Sequence, residues 1–233
     1  MNYSVLIDDT SITEHGFCIT KRPNIPAPER VYDEIVIPGR DGNVLVDRNV
    51  YSNIQIEVEI NYISNPDEWF EKFRKLKNIL NNATGKKLTF SDDPLFYYKI
   101  KKCIIGNNER TFRIGGVIKP VFILSPFQYA KSGLNVLHNP TILINDFDES
   151  CPIYHVQGEG MCTLKINGKS VTANVGQNLT IDTDKRLSYR KDGTLMNTSL
   201  KGYYEDMWLQ SGENKLEISE GFSLDVIPNW RVI

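Results

Sequence analysis

Cysteine and histidine are scarce in this chain of 233 residues, and the few present do not cluster. Cys18, Cys103, Cys151 and Cys162 form no Cys-x-x-Cys pair, and His15, His138 and His155 are equally dispersed. A zinc site needs ligands at short, recognisable spacings, so the thiols read as buried and free, and no metal or other cofactor is expected. No Gly-x-Ser-x-Gly occurs, and no serine or cysteine has a sequence context that would activate it. Gly115-Gly116 and Gly158-Glu159-Gly160 lack the lysine, the further glycine and the following helix of a phosphate loop. They read as turn or bulge glycines. An excess of one charge is lacking too: the formal net charge is -2, so no positive field draws the chain to nucleic acid or to an anionic membrane. No apolar run approaches the ~20 residues that span a bilayer. The first nine residues have no basic segment followed by a long apolar one, so the expectation is a soluble protein made in a cytoplasm.

What the chain does have is β patterning. Its length and its 40% apolar residues predict two domains, each able to bury a core. We place them at residues 1–137 and 138–233. In the first, β-type segments fall at residues 3–7, 34–37, 43–47 and 54–62. The last is the clearest, because Ile54, Ile56, Val58, Ile60 and Tyr62 alternate with polar residues at period two. Between the first segments, residues 21–30 carry Pro23, Pro26 and Pro28, which hold the chain extended as an exposed arm.

One helix is predicted, capped by Asn65, with Pro66 at its first position and a stripe of Trp69, Phe70, Phe73, Leu76, Ile79 and Leu80 packed on its own sheet. Further strands are expected at residues 87–90, 96–105, 112–116 and 117–124, with a turn at Asn107-Asn108. The pattern weakens at residues 126–129, and residues 135–140 read as the connection out of the first domain. Short strands follow at residues 141–144, 153–157, 162–166, 169–175 and 178–182. Asn167-Gly168 is a strong hairpin signal, since a type I′ turn needs positive φ at both central residues. The fold class is therefore mainly β: an N-terminal β domain with one packed helix, then a C-terminal β-sandwich.

A glycosidase needs two carboxyl groups roughly 5 to 9 Å apart, and two sets of acids are close enough in sequence to supply them. Asp92 with Asp93, and Asp146 with Asp148 and Glu149, sit in turn-like sequence, where aspartate bonds nearby amides. Turn formation is the better reading. Residues 96–102 interleave aromatics and lysines as a single-stranded nucleic-acid groove would, but without a reinforcing basic stripe they read as a strand with one solvated face. Tyr189, Tyr203, Tyr204, Trp208 and Trp230 raise the alternative of a sugar platform. Core or edge packing explains most of them, with Tyr203, Tyr204 and Trp208 kept as candidate sugar or partner contacts.

Several signals recur in an order that resembles one family. Leu179-Thr180-Ile181-Asp182, Lys191-Asp192-Gly193, Asn197 to Gly202, Leu209 to Ile218 with its Gly212-Glu213-Asn214 turn, and Ile227-Pro228-Asn229-Trp230-Arg231 are similar to the C-terminal domain of the distal tail protein of long, non-contractile-tailed phages infecting Gram-positive bacteria. Ile37-Pro38-Gly39-Arg40-Asp41-Gly42, followed by Tyr51, resembles a turn in the N-terminal domain of that family. The resemblance implies a non-enzymatic structural virion protein with a galectin-like or carbohydrate-binding-module-like second domain. It further implies a hexameric ring at the tail tip, assembled in the host cytoplasm. Such a ring joins the major tail protein to the tail-associated fibre or lysin protein and, in many phages, to receptor-binding proteins. Under it, Pro38, Gly39, Arg40, Asp41 and Gly42 become candidate subunit contacts. The rival is a carbohydrate-binding receptor-recognition protein.

Overall fold

The structure, a computed structural model, describes residues 3–110 and 112–233. It is mainly β, with one α-helix, and the chain divides into two compact units, Met1–Gln128 with Ile233, and Tyr129–Val232. No helix among the described residues is long and apolar enough to cross a membrane.

In the first unit one antiparallel sheet runs Thr10–Ser11, Val5–Ile7, Lys87–Phe90, Asp93–Ile104, Val121–Ala130, with Ile54–Glu57 also paired to Val121–Ala130. A second runs Asn108–Glu109, Gly115–Ile118, Ile60–Ile63, Cys18–Ile19. The segment expected as one strand over residues 54–62 is therefore split between two sheets. Its alternation survives, since Ile54, Ile56, Val58, Ile60 and Tyr62 are all buried. Register also survives across the break, with Ile56 opposite Phe122 and Ile60 opposite Ile118. The gap falls where Val58 meets Pro120: the Val58 N–H donates to the Pro120 carbonyl at 3.0 Å, but proline has no N–H with which to return the bond.

The helix is Trp69–Asn81, three residues later than the cap at Asn65 predicted. Asn65 spends its side-chain amide on the Glu68 carboxylate at 3.3 Å, and the Glu68 N–H bonds the Asn65 carbonyl at 3.1 Å, so residues 65–68 form a turn before the helix begins. Trp69, Leu76 and Leu80 enter the core with Phe73 and Ile79 packed against it, whereas Phe70 is exposed and belongs to the outer face. The Trp69 indole N–H donates to the Gly115 carbonyl at 3.1 Å and ties the helix start to the second sheet.

Four more expectations are corrected. Asn108 lies in a short strand opposite Ile118 rather than in a turn, and the strand expected from residue 112 starts at Gly115. Residues 126–129, where the pattern weakens, belong to the strand Val121–Ala130. Cys18 is exposed, unlike the buried Cys151 and Cys162.

The second unit is built on one long hairpin, Ile153–Ile166 against Lys169–Asp182, closed by Asn167 and Gly168 at φ 51° and 83°. This two-residue turn is the one the Asn-Gly pair predicted. Residues 153–157 and 162–166 are not separate strands: register is unbroken past Gly158, Gly160 and Gly176, so these glycines make neither a turn nor a bulge. Gly158 is required for another reason. A Cβ there would lie 2.3 Å from the Phe222 ring. The sheet order is Leu137–His138, Ser223–Ile227, Ile153–Ile166, Lys169–Asp182, Leu187–Tyr189, while Ile142–Asn145 pairs with Gly212–Ile218, which also borders Ile153–Ile166.

Tyr154 is the largest fully buried side chain of this unit, and its hydroxyl donates to the Met207 carbonyl at 2.7 Å. Burial holds its pKa well above 10. Above pH 10 the phenol of the unfolded chain ionises while the folded one keeps its proton, so the unfolded state binds fewer protons and stability falls as pH rises. Tyr154→Phe is expected to lose about 1–3 kcal/mol at neutral pH, because the Met207 carbonyl is left unpaired, and to flatten the decline above pH 10. Urea melts at pH 7 and pH 10.5 check both; an unchanged alkaline slope would put the titration elsewhere.

Candidate interaction surface

Among the described residues the segment Arg30–Ile35 pairs only with Val44–Tyr51, as a two-stranded sheet of its own. An isolated hairpin is marginal in water, and this one is stiffened by polar ties along its length. Arg30 bonds Asp47 at 2.6 Å and Tyr51 Oη at 3.2 Å, and its guanidinium lies over the Tyr51 ring. Arg48 grips Asp33 with two nitrogens, the Nε bond being 2.7 Å, and Asn43 bonds Glu34 at 3.0 Å. The Asp33 carboxyl is held below its ordinary range by the bond from Arg48, and that of Asp47 by the Asn49 N–H and then by Arg30. At its root, Tyr51 meets the Phe127 ring edge-on, centroids 5.9 Å apart.

Both faces of this hairpin carry exposed apolar side chains between the charged ties. Leu45 and Tyr32 lie on one face, Ile35 and Val46 on the other, and all four are exposed, Leu45 at 59% and Val46 at 46%. Val36, Ile37 and Val50 extend the exposed apolar area. Exposed large apolar groups gathered on one element mark an interaction surface, whereas single ones are ordinary. The Pro38–Gly42 segment forms the loop of this hairpin, fully exposed, with the Arg40 N–H bonded to the Ile37 carbonyl at 3.2 Å. Pro38 second and Gly39 third, the latter at φ 80°, is the pattern of a type II turn. The Pro-Gly-Arg-Asp-Gly signal in the sequence thus marked the tip, but the apolar faces behind it went unread.

The proline arm is exposed over most of its length, yet pinned at both ends. Arg22 pairs with Asp92 at 2.9 Å and lies over the Tyr3 ring, whose hydroxyl is pushed up to about 12 mainly by burial. The Ser52 N–H bonds the Glu29 carbonyl at 2.8 Å.

The other candidates occupy separate environments. Tyr203 is 74% exposed, the Tyr204 hydroxyl is within 2.9 Å of Ser188 Oγ, and Trp208 is half-buried with an indole N–H that meets no acceptor among the described residues. Asp93 accepts a bond from Gln128 at 3.2 Å, and Glu149 one from Gln210 at 2.7 Å. Asn145 closes the loop of the second acid set, accepting from the Phe147 N–H at 3.0 Å and donating to the Asp148 carbonyl at 2.8 Å. Burial pushes the Cys103 thiol up to about 11, away from the thiolate a nucleophile needs. Among the described residues no three His, Cys, Asp or Glu side chains converge as metal ligands.

No protein-family model matches the chain, and no curated protein sequence matches it. Among solved structures it is similar to the crystal structure of the SPP1 Dit (gp 19.1) protein, a paradigm of the hub adsorption apparatus in phages that infect Gram-positive bacteria, at 14% identity and a TM-score of 0.68. The match covers 97% of this chain and 98% of that one. Across nearly its whole length, then, this chain has the fold of a phage tail hub protein.

Proposed function

We propose that the protein is a structural, non-enzymatic hub of a long, non-contractile phage tail. Six copies form a ring at the distal end, joining the tail tube to the tail-tip fibre or baseplate and to receptor-binding proteins. The observation that carries this reading is the end-to-end fold match to a tail hub, which spans both units rather than one common module. The free hairpin supports it from the other side. A heterologous patch repeated by rotation closes a cyclic ring, and a projecting hairpin with exposed apolar side chains suits such a contact. Its loop, Pro38–Gly42, is the contact we assign to the neighbouring copy, with residues 1–137 as the ring-forming domain and residues 138–233 as the outward one.

Sedimentation at micromolar concentration is expected to give a species of six times the 26.7 kDa chain mass, alone or once the tail-tube and fibre proteins are added. Particles that stay monomeric under both conditions, with no annulus in negative stain, would overturn the hub reading.

A further inference from the structure

The strand Ile142–Asn145 in the second unit pairs on one side only, with Gly212–Ile218. The Leu216 N–H donates to the Thr141 carbonyl at 2.9 Å, whereas the Lys215 carbonyl turns the other way and accepts from the Asn167 N–H at 2.9 Å. Opposed residues in an antiparallel pair alternate between bonded and non-bonded, and Ile142 lies opposite Lys215, Ile144 opposite Glu213. The N–H and C=O groups of both isoleucines therefore point outward from the edge, where they meet no partner among the described residues. Their side chains lie on the open face, Ile142 at 55% and Ile144 at 67% exposure, while Leu143 and Asn145 are buried.

Proteins blunt such edges with charge, proline or a bulge. This strand, Ile-Leu-Ile-Asn, has no charge and no proline, and its register is unbroken. The ends of the main sheet of this unit are better guarded. One carries His138, with Nδ1 2.7 Å from Asp225 Oδ1, and at the other Tyr189 is bridged to Leu195. The bare edge is also complementary to itself. Antiparallel pairing about a two-fold axis at Leu143 sets Ile142 of each copy opposite Ile144 of the other. Each such pair exchanges two N–H···O bonds, and the isoleucines of both copies form one stripe on the open face. Like charges do not meet, because Asp146 of each copy falls at opposite ends of the pairing. The nearest charges on the neighbouring strand, Glu213 and Lys215, already pair with each other at 3.6 Å.

We propose that Ile142–Asn145 is a self-pairing edge that joins the second units of two copies as one continuous antiparallel sheet. A ring closed by rotation uses head-to-tail contacts and leaves this isologous edge unused, so the pairing is separate from ring assembly. A four-residue edge falls well short of the about 1,200 Å² of a stable interface, so a single pair should be weak, with a Kd on the order of 0.1 to 1 mM. Cross-linking of the full-length chain tests the register, in a Cys18→Ser background that removes the exposed thiol. A bonded pair brings Cα atoms about 5.5 Å apart, within disulfide reach, whereas identical positions across the axis are diagonal neighbours at about 7 Å or more. An oxidised mixture of Ile142→Cys and Ile144→Cys chains should thus give a species of twice the 26.7 kDa chain mass, severalfold more of it than either variant alone. In sedimentation from about 10 µM to 1 mM, the mass of the parent should rise above that of its dilute species, whether monomer or ring. Ile144→Pro removes an outward N–H but no bond to Gly212–Ile218, and should weaken the rise about tenfold or more. Met161→Lys, at an exposed apolar residue of another strand, should leave the rise unchanged. Equal cross-linking with and without mixing, or a rise that a folded Ile144→Pro chain retains, would overturn the self-pairing. A mass that stays constant to about 1 mM would overturn it too, and would leave the edge to an extended segment of another protein.

Discussion

Ile35→Asp combined with Val46→Asp is expected to break the proposed ring into monomers at micromolar concentration. Both residues project from one face of the Arg30–Tyr51 hairpin, and both are about half exposed in the single chain. Each contributes about 1 to 1.5 kcal/mol if a neighbouring copy covers it, and a buried unpaired carboxylate adds a penalty of several kcal/mol. Subunit affinity should therefore fall by about a hundredfold or more, equivalent to ~2.7 kcal/mol. The fold should not suffer, because neither residue belongs to the buried core cluster of the first unit, and the hairpin keeps its Arg30–Asp47 and Arg48–Asp33 ties. Sedimentation mass and thermal melts together check this. A double variant that still gave the parent assembly would move the ring contact off this face, and the same pair of measurements on Leu45→Asp would then test the opposite one. Arg40→Ala at the tip should act more weakly, since an exposed polar contact contributes little.

Asn214→Ala should have the largest effect on the stability of the second unit. Asn214 is fully buried, and its side chain makes four hydrogen bonds. Its amide donates to the carbonyls of Gln210 at 2.8 Å and Gly212 at 3.0 Å, and its oxygen accepts from the Gln210 N–H and from Asn167 Nδ2, both at 2.8 Å. The Asn167 N–H in turn donates to the Lys215 carbonyl at 2.9 Å, and the Asn167 side-chain oxygen accepts the Lys215 N–H at 2.8 Å. The pair therefore locks the tip of the long hairpin to the start of the Gly212–Ile218 strand. Truncation would strand several polar groups away from water at about 1–3 kcal/mol each, partly relieved by water entering the gap, for a net loss of about 3 kcal/mol. For a domain of this size that is a fall in Tm of roughly 12 to 20 °C. Asn214→Asp should cost as much, because a carboxylate would face two carbonyls. A loss below about 1 kcal/mol in urea titrations would mean that the lock is redundant.

Much of the fold was legible locally. Alternation over residues 54–62 gave the correct buried set, and Asn167-Gly168 gave the correct turn, because both depend on rules that act within a few residues. The helix stripe was right except for Phe70, and its start slipped because Asn65 found a side-chain partner in Glu68 instead of a backbone amide. Gly158, Gly160 and Gly176 misled in a different way. They look like punctuation in one dimension, yet the long hairpin runs straight through them, since their paired strand supplies every partner a turn would have removed.

The candidate sites show the same division. Pro38 to Gly42 could be recognised as a turn, and Gly212 to Asn214 as a motif, from the chain alone. That Asn214 is a buried lock appears only when Asn167, 47 residues away, is seen beside it. Tyr203, Tyr204 and Trp208 stood out as aromatics close together in sequence, but sequence neighbours in irregular structure need not share a surface.

The order of residues by itself decided which side of each strand is oily, where the chain reverses, and that no reactive cluster is assembled from adjacent positions. Tertiary structure decided which strands lie next to which. Pairing between distant segments is what sets His138, Asp225, His155, Thr180 and Tyr189 in one row, and what leaves Arg30–Ile35 and Val44–Tyr51 with no strand partner but each other among the described residues. A period of two tells a side chain only up or down; who stands beside it is settled by long-range hydrogen bonds, whose loop-closure entropy leaves no mark on local composition.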